Sequence, residues 1–380
     1  MDFHFKEEEQ EILDMLKDFC VKNVAPKAAE VDENERFPEE TWHALADMGM
    51  MGIAYPEEYG GAGMSYLTYV AACEELAKHC ATTSVMVSAH SSLCCWPILQ
   101  YGTEEQKQKY LPKLCAGEEL GAFALTEPGA GTDAAMQKTV AEDKGDHWLL
   151  NGSKIFITNA GFASVFVIFA MTDKSLGTRG ISAFIVEKGA PGFTVGAHEK
   201  KMGIRGSSTC ELVFEDCKIP KENLLGQLNK GFKVAMTTLD GGRIGIGAQA
   251  VGIAQGCIDQ TIPYLNARMQ FGKRISQFQN TQFQMADLQT KVDAARLLIY
   301  RAAQAKQDGE PYTHLAAMGK LFASDVANQV TRECVQLVGG YGYTREYPFE
   351  RMMRDAKITE IYEGTSEVQR MVVSGWMGVK

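Results

Sequence analysis

The fold is most constrained by a change of hydrophobic pattern along the chain. Residues 121–224 contain stretches rich in Val, Ile, Phe and Thr, separated by turn pairs such as Asn151-Gly152 and Pro191-Gly192, with no long helical period between them. The stretches that read as strands are 148–159, 165–172, 181–186 and 210–214. Strands that follow one another without helical crossovers are typical of antiparallel structure. This region is therefore predicted to be an antiparallel β domain and not a set of βαβ units.

Both flanks of the β-rich region have the helical period. Two apolar stripes after residue 225 recur in steps of three and four residues, and the second is followed by a Gly339-Gly340 stop. The stripes are Leu288, Val292, Ala295, Ile299 and Ala302, and Phe322, Val326, Val330 and Cys334. Helices with such stripes pack on one another, which predicts a bundle. The predicted domains are 1–120 (helical), 121–224 (β) and 225–380 (helical bundle), with ligand clefts expected at their boundaries.

Composition restricts the class of protein. The 380 residues carry a formal net charge of −10, which argues against nucleic acid or an anionic membrane as a partner. The ten cysteines include no CxxC pair and the seven histidines no H-x-x-x-H array. We therefore expect no metal site, and we interpret the cysteines as buried thiols in a reducing compartment. Residues 1–10 resemble neither a signal nor a transit peptide, so a cytoplasmic protein is expected, although a processed organelle protein would look the same.

A glycine-rich loop, TEPGAGTD, occupies residues 126–133. Backbone N–H groups of such loops can bind phosphate, but an ordinary tight turn is the alternative. The β-rich sequence that follows excludes the strand–turn–helix setting of a Rossmann dinucleotide site. The next motif, FITN at 156–159, places an aromatic ring beside hydroxyl and amide groups. Such a group can cover a flat heterocycle, or it can be a strand that enters a turn.

Glycines in a predicted helix mark the segment Asp240-Gly241-Gly242-Arg243. Each glycine costs a helix about 1 kcal/mol, so several together indicate that a helix or a ligand approaches the backbone closely. Asp240 and Arg243 are spaced to form an ion pair, which on a surface would have no further role. Arg268, in RMQFG, can pair with a phosphate or lie in solvent at the end of a helix.

Glu363 lies in the run IYEGT, between Tyr362 and Gly364. A carboxylate on a partly apolar loop has a raised pKa, which suits a general base. The chain has 48 acidic residues, so the residues next to Glu363 are by themselves weak evidence that it is catalytic.

The joint order of the motifs is more specific than any one of them. TEPGAGTD, FITN, KMGIRGSST, LDGGRIGI, RMQFG, QLVGGYGY and IYEGTSE together resemble the acyl-CoA dehydrogenase family, in particular its short-chain, butyryl-CoA branch. The resemblance covers essentially the whole chain. It implies a mainly α fold with a helical N-terminal domain, a β-barrel-like middle domain and a C-terminal four-helix bundle, assembled as a homotetramer. It also implies FAD as the cofactor and electron-transfer flavoprotein as the redox partner.

The same resemblance implies two sets of binding residues. Those for FAD are Phe123, Leu125, Thr126, Gly131, Thr132, Phe156, Ile157, Thr158, Arg268, Phe271, Gln279, Gln336, Leu337, Val338, Gly339, Gly340, Thr365, Ser366 and Glu367. Those for acyl-CoA are Thr132, Asp240, Gly241, Gly242, Arg243 and Gly364. Many relatives have Trp at the position of Phe156. The FAD residues from 268 to 340 are expected to act partly across a subunit interface.

Glu363 is implied to be the catalytic base. It would remove the α-proton of a short-chain acyl-CoA while the β-hydrogen leaves as hydride to flavin N5. Some relatives place the base beside the residue that matches Arg243, where this chain has Gly242.

Four alternatives are weighed against this function. In the reverse direction, the same site reduces a short or aromatic enoyl-CoA, in an electron-bifurcating complex. An acyl-CoA oxidase would have a longer chain, and a non-catalytic relative would lack Glu363. Relatives that decarboxylate glutaryl-CoA have an arginine near the position of Ser84, which disfavours that activity here.

Overall fold

The computed structural model describes residues 3–379, so residues 1, 2 and 380 of the predicted domains lie outside it. The region before the sheet is helical, as predicted. Its helices are α1 (Glu7–Phe19), α2 (Ala28–Glu33), α3 (Glu39–Asp47), α4 (Tyr66–His79), α5 (Ala81–Ser88), α6 (Trp96–Tyr101) and α7 (Glu104–Cys115). A π-helical segment, Ala89–Cys95, joins α5 to α6, so one helical run extends from residue 81 to residue 101.

A single sheet follows. Its strands are β1 (Gly121–Ala124), β2 (Val140–Asp143), β3 (His147–Ile157), β4 (Val165–Met171), β5 (Ile181–Glu187), β6 (Phe193–His198), β7 (Cys210–Pro220) and β8 (Leu224–Leu225). The spatial order is β6-β7-β3-β2-β4-β5-β8, and β1 also pairs with β4. Every residue of β4 is buried, as expected for a central strand.

The predicted antiparallel arrangement is correct for most pairs and wrong for two. Strands β1 and β2 both run parallel to β4. A parallel neighbour needs a crossover connection, which is usually a helix. Here the β2–β3 hairpin makes the crossover from β1 to β4, so no helical period marks it in the sequence.

The C-terminal region is a helical bundle, as predicted. Its elements are α8 (Gly231–Ala267), a short hairpin of β9 (Met269–Gln270) and β10 (Lys273–Arg274), α9 (Gln279–Gln307), α10 (Thr313–Val338), α11 (Gly340–Tyr343), α12 (Phe349–Ile358) and α13 (Ser366–Trp376). The stripe predicted on α9 is buried throughout. On α10 the prediction is wrong at Phe322, which is 37% exposed, because the buried face of that helix is centred on Ala316, Ala323 and Ala327.

The glycines of α8 let neighbouring elements touch its backbone, as their clustering predicted. A Cβ atom on Gly252 would lie 2.2 Å from the carbonyl oxygen of Glu74 in α4. A Cβ on Gly247 would lie 2.0 Å from Cδ1 of Ile299 in α9. Side chains at these positions would force the helices apart, so the glycines fix the close packing of α4, α8 and α9.

The cysteines, possible metal ligands and long helices can be compared with the expectations from composition. All ten cysteines are buried thiols, as predicted. Within residues 3–379, no cluster of His, Cys, Asp and Glu has an arrangement that would bind a metal ion. None of the helices in that part of the chain combines the length and apolarity needed to cross a bilayer.

Candidate active site

Glu363 lies in the turn between α12 and α13. Its φ is +51°, in the left-handed region that is uncommon for any residue other than glycine, and Gly364 follows with a φ of +91°. The Oε2 atom of Glu363 is buried and has no hydrogen-bond partner. A strained backbone and an unpaired buried carboxylate oxygen both cost free energy, so stability does not explain this residue.

The surroundings of Glu363 raise the pKa of its carboxyl group toward the neutral range. Burial raises the pKa of its carboxyl group to about 8, against the opposing positive charges of Lys320 and Arg243. A carboxyl group that titrates near neutral pH can accept a proton and return it, which is the property required of a general base.

Several hydrogen bonds hold the turn in place. The Lys320 ammonium donates to the carbonyl oxygen of Gly364 at 2.8 Å, and Nε2 of Gln369 donates to the same oxygen at 2.8 Å. The Tyr362 hydroxyl donates to Oε1 of Gln249, whose Nε2 donates to the carbonyl oxygen of Ala81. The residues on both sides of Glu363 are therefore tied to α8, through the Tyr362 side chain, and to α10 and α13, through the Gly364 carbonyl.

Gly242 provides the space that the carboxylate occupies. A Cβ atom on Gly242 would lie 2.0 Å from Oε2 of Glu363 and 2.8 Å from Cδ2 of Leu93. The two positions that the family resemblance offered for a base therefore face one another, and only one of them can carry a side chain of full size.

For the activity that the family resemblance implies, Gly242→Ala is expected to slow flavin reduction by butyryl-CoA on the order of 100-fold, because the new methyl group would push the carboxylate out of position. Rapid mixing with detection of flavin absorbance measures this rate. Gly375→Ala in α13 is the matched control, since a Cβ at that helical glycine meets no atom within 4 Å. A Gly242→Ala protein as fast as the control would contradict the close contact.

Asp240 and Arg243 form an ion pair with an N–O distance of 2.5 Å, and the Thr313 hydroxyl donates to the other Asp240 oxygen. Both side chains are largely shielded from solvent, so the alternative of a surface ion pair is wrong. The Nε of Arg243 remains buried and without a partner. Such a donor is expensive unless a ligand completes its hydrogen bonds.

A second unpaired cation lies beside this pair. The Nζ of Lys306 is buried without a hydrogen-bond partner, 4.0 Å from the ring centroid of Tyr66 and 4.9 Å from that of Trp96. A Cβ atom on Gly241 would lie 2.6 Å from the same Nζ. Aromatic faces attract a cation and partly offset its loss of water.

The glycine-rich loop and the FITN motif lie together at the end of β3. The amide of Ile155 donates to the carbonyl oxygen of Thr126 at 2.9 Å. Gly131 and Thr132 are exposed, and Phe156 is 60% exposed with a φ of +59°. The predicted FAD residues of this region thus form one surface with a protruding aromatic ring.

Not every predicted residue of that surface can contribute its side chain. Leu125 is buried between the sheet and the N-terminal helices, and Ile157 is buried in the core of the sheet domain, so only their backbone groups can reach a ligand. Phe123 and Thr158 are half-buried. Phe156 lies at an irregularity in the pairing of β3 with β7, between Lys154 and Ile157, and its left-handed φ turns its ring outward while Ile157 packs in the core.

A second group of predicted FAD residues lies at the ends of α8, α9 and α10. Phe271 is 93% exposed and Arg268 stacks over the ring of Tyr341. Exposed positions in this group also include Gln279, Gln336, Gly339 and Gly340, whereas Leu337 is half-buried and Val338 is buried. In the described residues, no hydrogen bond, ion pair or ring contact joins this group to residues 123–158.

The third group lies at the start of α13. Thr365 caps the helix by accepting a hydrogen bond from the amide of Val368. Ser366 is buried with an unpaired hydroxyl oxygen, and Glu367 is exposed. These residues follow Glu363 directly, so this group and the predicted base share one turn.

Sequence reasoning missed Lys320, Gln369 and Lys306. Lys320 had a usable signal, because a lysine four residues after Ala316 and three before Ala323 lies on the apolar face of α10. A charged residue on such a face is a candidate for a function. Lys306 and Gln369 lie at helix ends, where polar residues are common and carry no signal.

Models of three domains match consecutive parts of the chain. The acyl-CoA dehydrogenase N-terminal domain matches residues 6–118, the middle domain 122–217 and the C-terminal domain 229–378. The short-chain specific acyl-CoA dehydrogenase of Clostridium acetobutylicum is 57% identical over 375 residues, which cover 99% of each chain. The chain belongs to the acyl-CoA dehydrogenase family. The family, the fold and the enzyme class, which is oxidoreductase, therefore agree with the expectations from the sequence.

Solved structures of the acyl-CoA dehydrogenase family have the same architecture. Butyryl-CoA dehydrogenase of Megasphaera elsdenii is 52% identical and superposes with a TM-score of 0.98, covering 99% of this chain and 100% of that one. A chain from work on the electron transferring flavoprotein of Acidaminococcus fermentans and flavin-based electron bifurcation is 55% identical, with a TM-score of 0.98 and 99% of each chain covered.

Proposed function

We propose that this protein is an FAD-dependent acyl-CoA dehydrogenase in which Glu363 removes the α-proton of a short-chain acyl-CoA. The observation that carries the proposal is the buried, unpaired Oε2 of Glu363, held against Gly242 by a strained turn. A base placed in this way needs no rearrangement to meet a substrate.

The unpaired buried polar atoms support a ligand site at this place. Nine such side-chain atoms occur in the described residues, and Arg243 Nε, Lys306 Nζ, Glu363 Oε2, Ser366 Oγ and Gln369 Oε1 are among them. Buried polar atoms are normally hydrogen-bonded, so this concentration at the Glu363 turn and along the facing segment Asp240–Arg243 of α8 fits groups that a cofactor and a substrate would satisfy. The exposed Phe156 and the open space above Gly131 fit a flat ring with attached phosphates.

The residues of the chain would act together on the thioester. The thioester carbonyl acidifies the α-proton, and Glu363 accepts that proton as the general base. Arg243 and Lys320 place positive charge near the resulting negative charge. A bound flavin would supply the hydride acceptor. Leu93, which contacts the space around Gly242, would keep water from the reacting atoms.

The three groups of FAD residues support a site shared between subunits. Residues 123–158 and 365–367 would bind FAD on one subunit, and the exposed group from Arg268 to Gly340 would bind it from a neighbour. Asp240, Gly241, Gly242, Arg243, Thr132 and Gly364 would bind the acyl-CoA. The proposal includes the homotetramer, the domain limits 1–120, 121–224 and 225–380, and a cytoplasmic location.

A second direction of the same chemistry is favoured by one similar structure. The Acidaminococcus fermentans work concerns flavin-based electron bifurcation. We propose electron-transfer flavoprotein as the redox partner, and reduction of a short enoyl-CoA as the alternative physiological direction. The two directions use the same base, because Glu363 would return the proton that it otherwise removes.

The test is a panel of acyl-CoA and enoyl-CoA substrates with electron-transfer flavoprotein as the partner. We expect butyryl-CoA to bleach the flavin in the absence of air and to give the highest kcat/KM among saturated chains. Rapid peroxide formation in air would favour an oxidase. No bleaching by any acyl-CoA would rule out the dehydrogenase and favour a non-catalytic binding protein.

A further inference from the structure

Lys320 is a fully buried cation on the core face of α10. Its Nζ donates to the carbonyl oxygen of Gly364 at 2.8 Å, and no ion pair with a carboxylate is recorded for it within residues 3–379. A buried ammonium without an ion pair costs several kcal/mol. The packing of α10 needs only an apolar side chain at this position, so the charge itself requires an explanation.

The position of the Lys320 charge relative to the predicted base, Glu363, explains why a charge is present here. Gly364, whose oxygen Lys320 binds, directly follows Glu363, and the charge of Lys320 acts on the Glu363 carboxyl group. We infer that Lys320 is a positioning residue for the base: it holds the turn through Gly364 and supplies a buried positive charge that favours the deprotonated form of Glu363. This inference rests on the proposed role of Glu363.

The other titratable groups around Glu363 cannot replace this charge. Arg243 faces it from α8, but its charge is partly neutralised by the ion pair with Asp240. Tyr66 and Cys73 face it from α4, and Tyr362 lies beside it in the turn, but burial raises the pKa of all three, which leaves them neutral. Lys320 is therefore the cation with the larger effect on the pKa of Glu363, and unlike Arg243 it forms no ion pair within residues 3–379.

The two groups stabilise each other's charged forms. Burial lowers the pKa of Lys320 to about 8; the charge of Glu363 opposes that shift, as do those of Glu360 and Asp325, whereas the charge of Arg243 adds to it. Burial raises the pKa of Glu363 to about 8, and Lys320 opposes it. Without Lys320, the pKa of Glu363 would rise further, so less of the carboxylate would be available at neutral pH.

Gln369 offers a matched control for the mechanical part of this role. Its Nε2 donates to the same Gly364 oxygen at 2.8 Å and to the carbonyl oxygen of Glu363 at 3.2 Å, but it carries no charge. Gln369→Met removes both of these hydrogen bonds from the turn and changes no charge. Lys320→Met removes a hydrogen bond from the same oxygen together with the charge.

The experiment measures flavin reduction by butyryl-CoA in the FAD-loaded enzyme as a function of pH. In the wild type, the rate is expected to rise with pH as Glu363 loses its proton. Lys320→Met is expected to move the midpoint upward by about one pH unit or more and to lower the rate at pH 7 about tenfold. Gln369→Met is expected to lower the rate without moving the midpoint, and Lys320→Arg, which keeps the charge, to retain the wild-type midpoint.

The outcomes separate this inference from the proposed function. An unchanged midpoint in Lys320→Met, with a loss of rate like that of Gln369→Met, would overturn the electrostatic role. Absence of flavin reduction in the wild type would instead overturn the proposed function. If Lys320→Met does not fold, as judged by circular dichroism, Lys320→Gln carries the same test, because its amide is a donor without charge.

Discussion

Glu363→Gln is expected to lose most of the flavin reduction by butyryl-CoA while it still binds FAD and acyl-CoA. The amide has nearly the shape of the carboxylate, so it fits the space above Gly242 and leaves the turn in place. It cannot accept the α-proton, and removal of a general base costs about 100- to 10,000-fold in rate. Rapid mixing measures the rate, and titration of the flavin spectrum with butyryl-CoA measures binding.

The control for this variant is Glu360→Gln, three residues earlier in the same turn. The Glu360 carboxylate accepts a hydrogen bond from Lys357 near the protein surface, and its charge acts on Lys320 less than that of Glu363 does, so it is expected to have no direct part in proton transfer. Its loss is expected to leave the rate close to that of the wild type. A Glu363→Gln enzyme with near-wild-type turnover would refute the role of Glu363.

The pH dependence follows from the same residue. A base must be deprotonated to act, so kcat/KM rises with pH through the pKa of Glu363 in the free enzyme, which burial raises to about 8. Activity is thus expected to be low in mild acid and to increase toward pH 8. This acid limb should be absent from the residual activity of Glu363→Gln.

The order of helical, β and helical regions could be predicted because hydrophobic period is a local property of the chain. The parallel pairing of β1 with β4 could not be predicted. The connection between these two strands is about forty residues long and contains the β2–β3 hairpin, and no local sequence pattern marks it as a crossover. The exposure of Phe322 could not be predicted either, because which face of α10 is buried depends on the elements that pack against that helix.

The candidate site likewise has features that the sequence predicts and features that depend on the three-dimensional structure. The joint order of the motifs points to Glu363, whereas its strained backbone, its unpaired oxygen and its contact with Gly242 depend on the packing of α8 against the turn. Lys320 lies 43 positions before Glu363 in the sequence, and no local pattern relates the two. Contacts between distant residues create the electrostatics, so the chemistry of the site emerges only in three dimensions.

Lys154→Met is expected to destabilise the β domain far more than the loss of a surface charge. The Lys154 side chain is fully buried, and its Nζ donates to Oε1 of Glu127 at 2.8 Å and to the carbonyl oxygen of Leu125 at 3.1 Å. Burial alone would raise the pKa of Glu127, but the Lys154 charge and the amide of Lys138 lower it below its usual value. Glu127 is therefore ionised, and removing Lys154 would leave its carboxylate buried without a cation.

An uncompensated buried charge costs about 3–5 kcal/mol, and that is the expected loss in the free energy of unfolding. The pair also anchors the glycine-rich loop, because Glu127 belongs to TEPGAGTD and Lys154 to the strand that ends in FITN. Flavin content after purification should therefore fall with stability. Denaturant unfolding followed by circular dichroism, together with the ratio of flavin to protein, measures both effects.

Two further variants decide whether the buried pair is the cause. Lys144→Met breaks an exposed ion pair with Glu142, 2.6 Å apart, and should cost less than about 1 kcal/mol. Lys154→Met combined with Glu127→Gln should recover part of the loss, because the amide replaces the stranded charge. If Lys154→Met unfolded at the same denaturant concentration as Lys144→Met, the glycine-rich loop would not depend on this pair, and its shape would have to come from the β1 and β3 backbone alone.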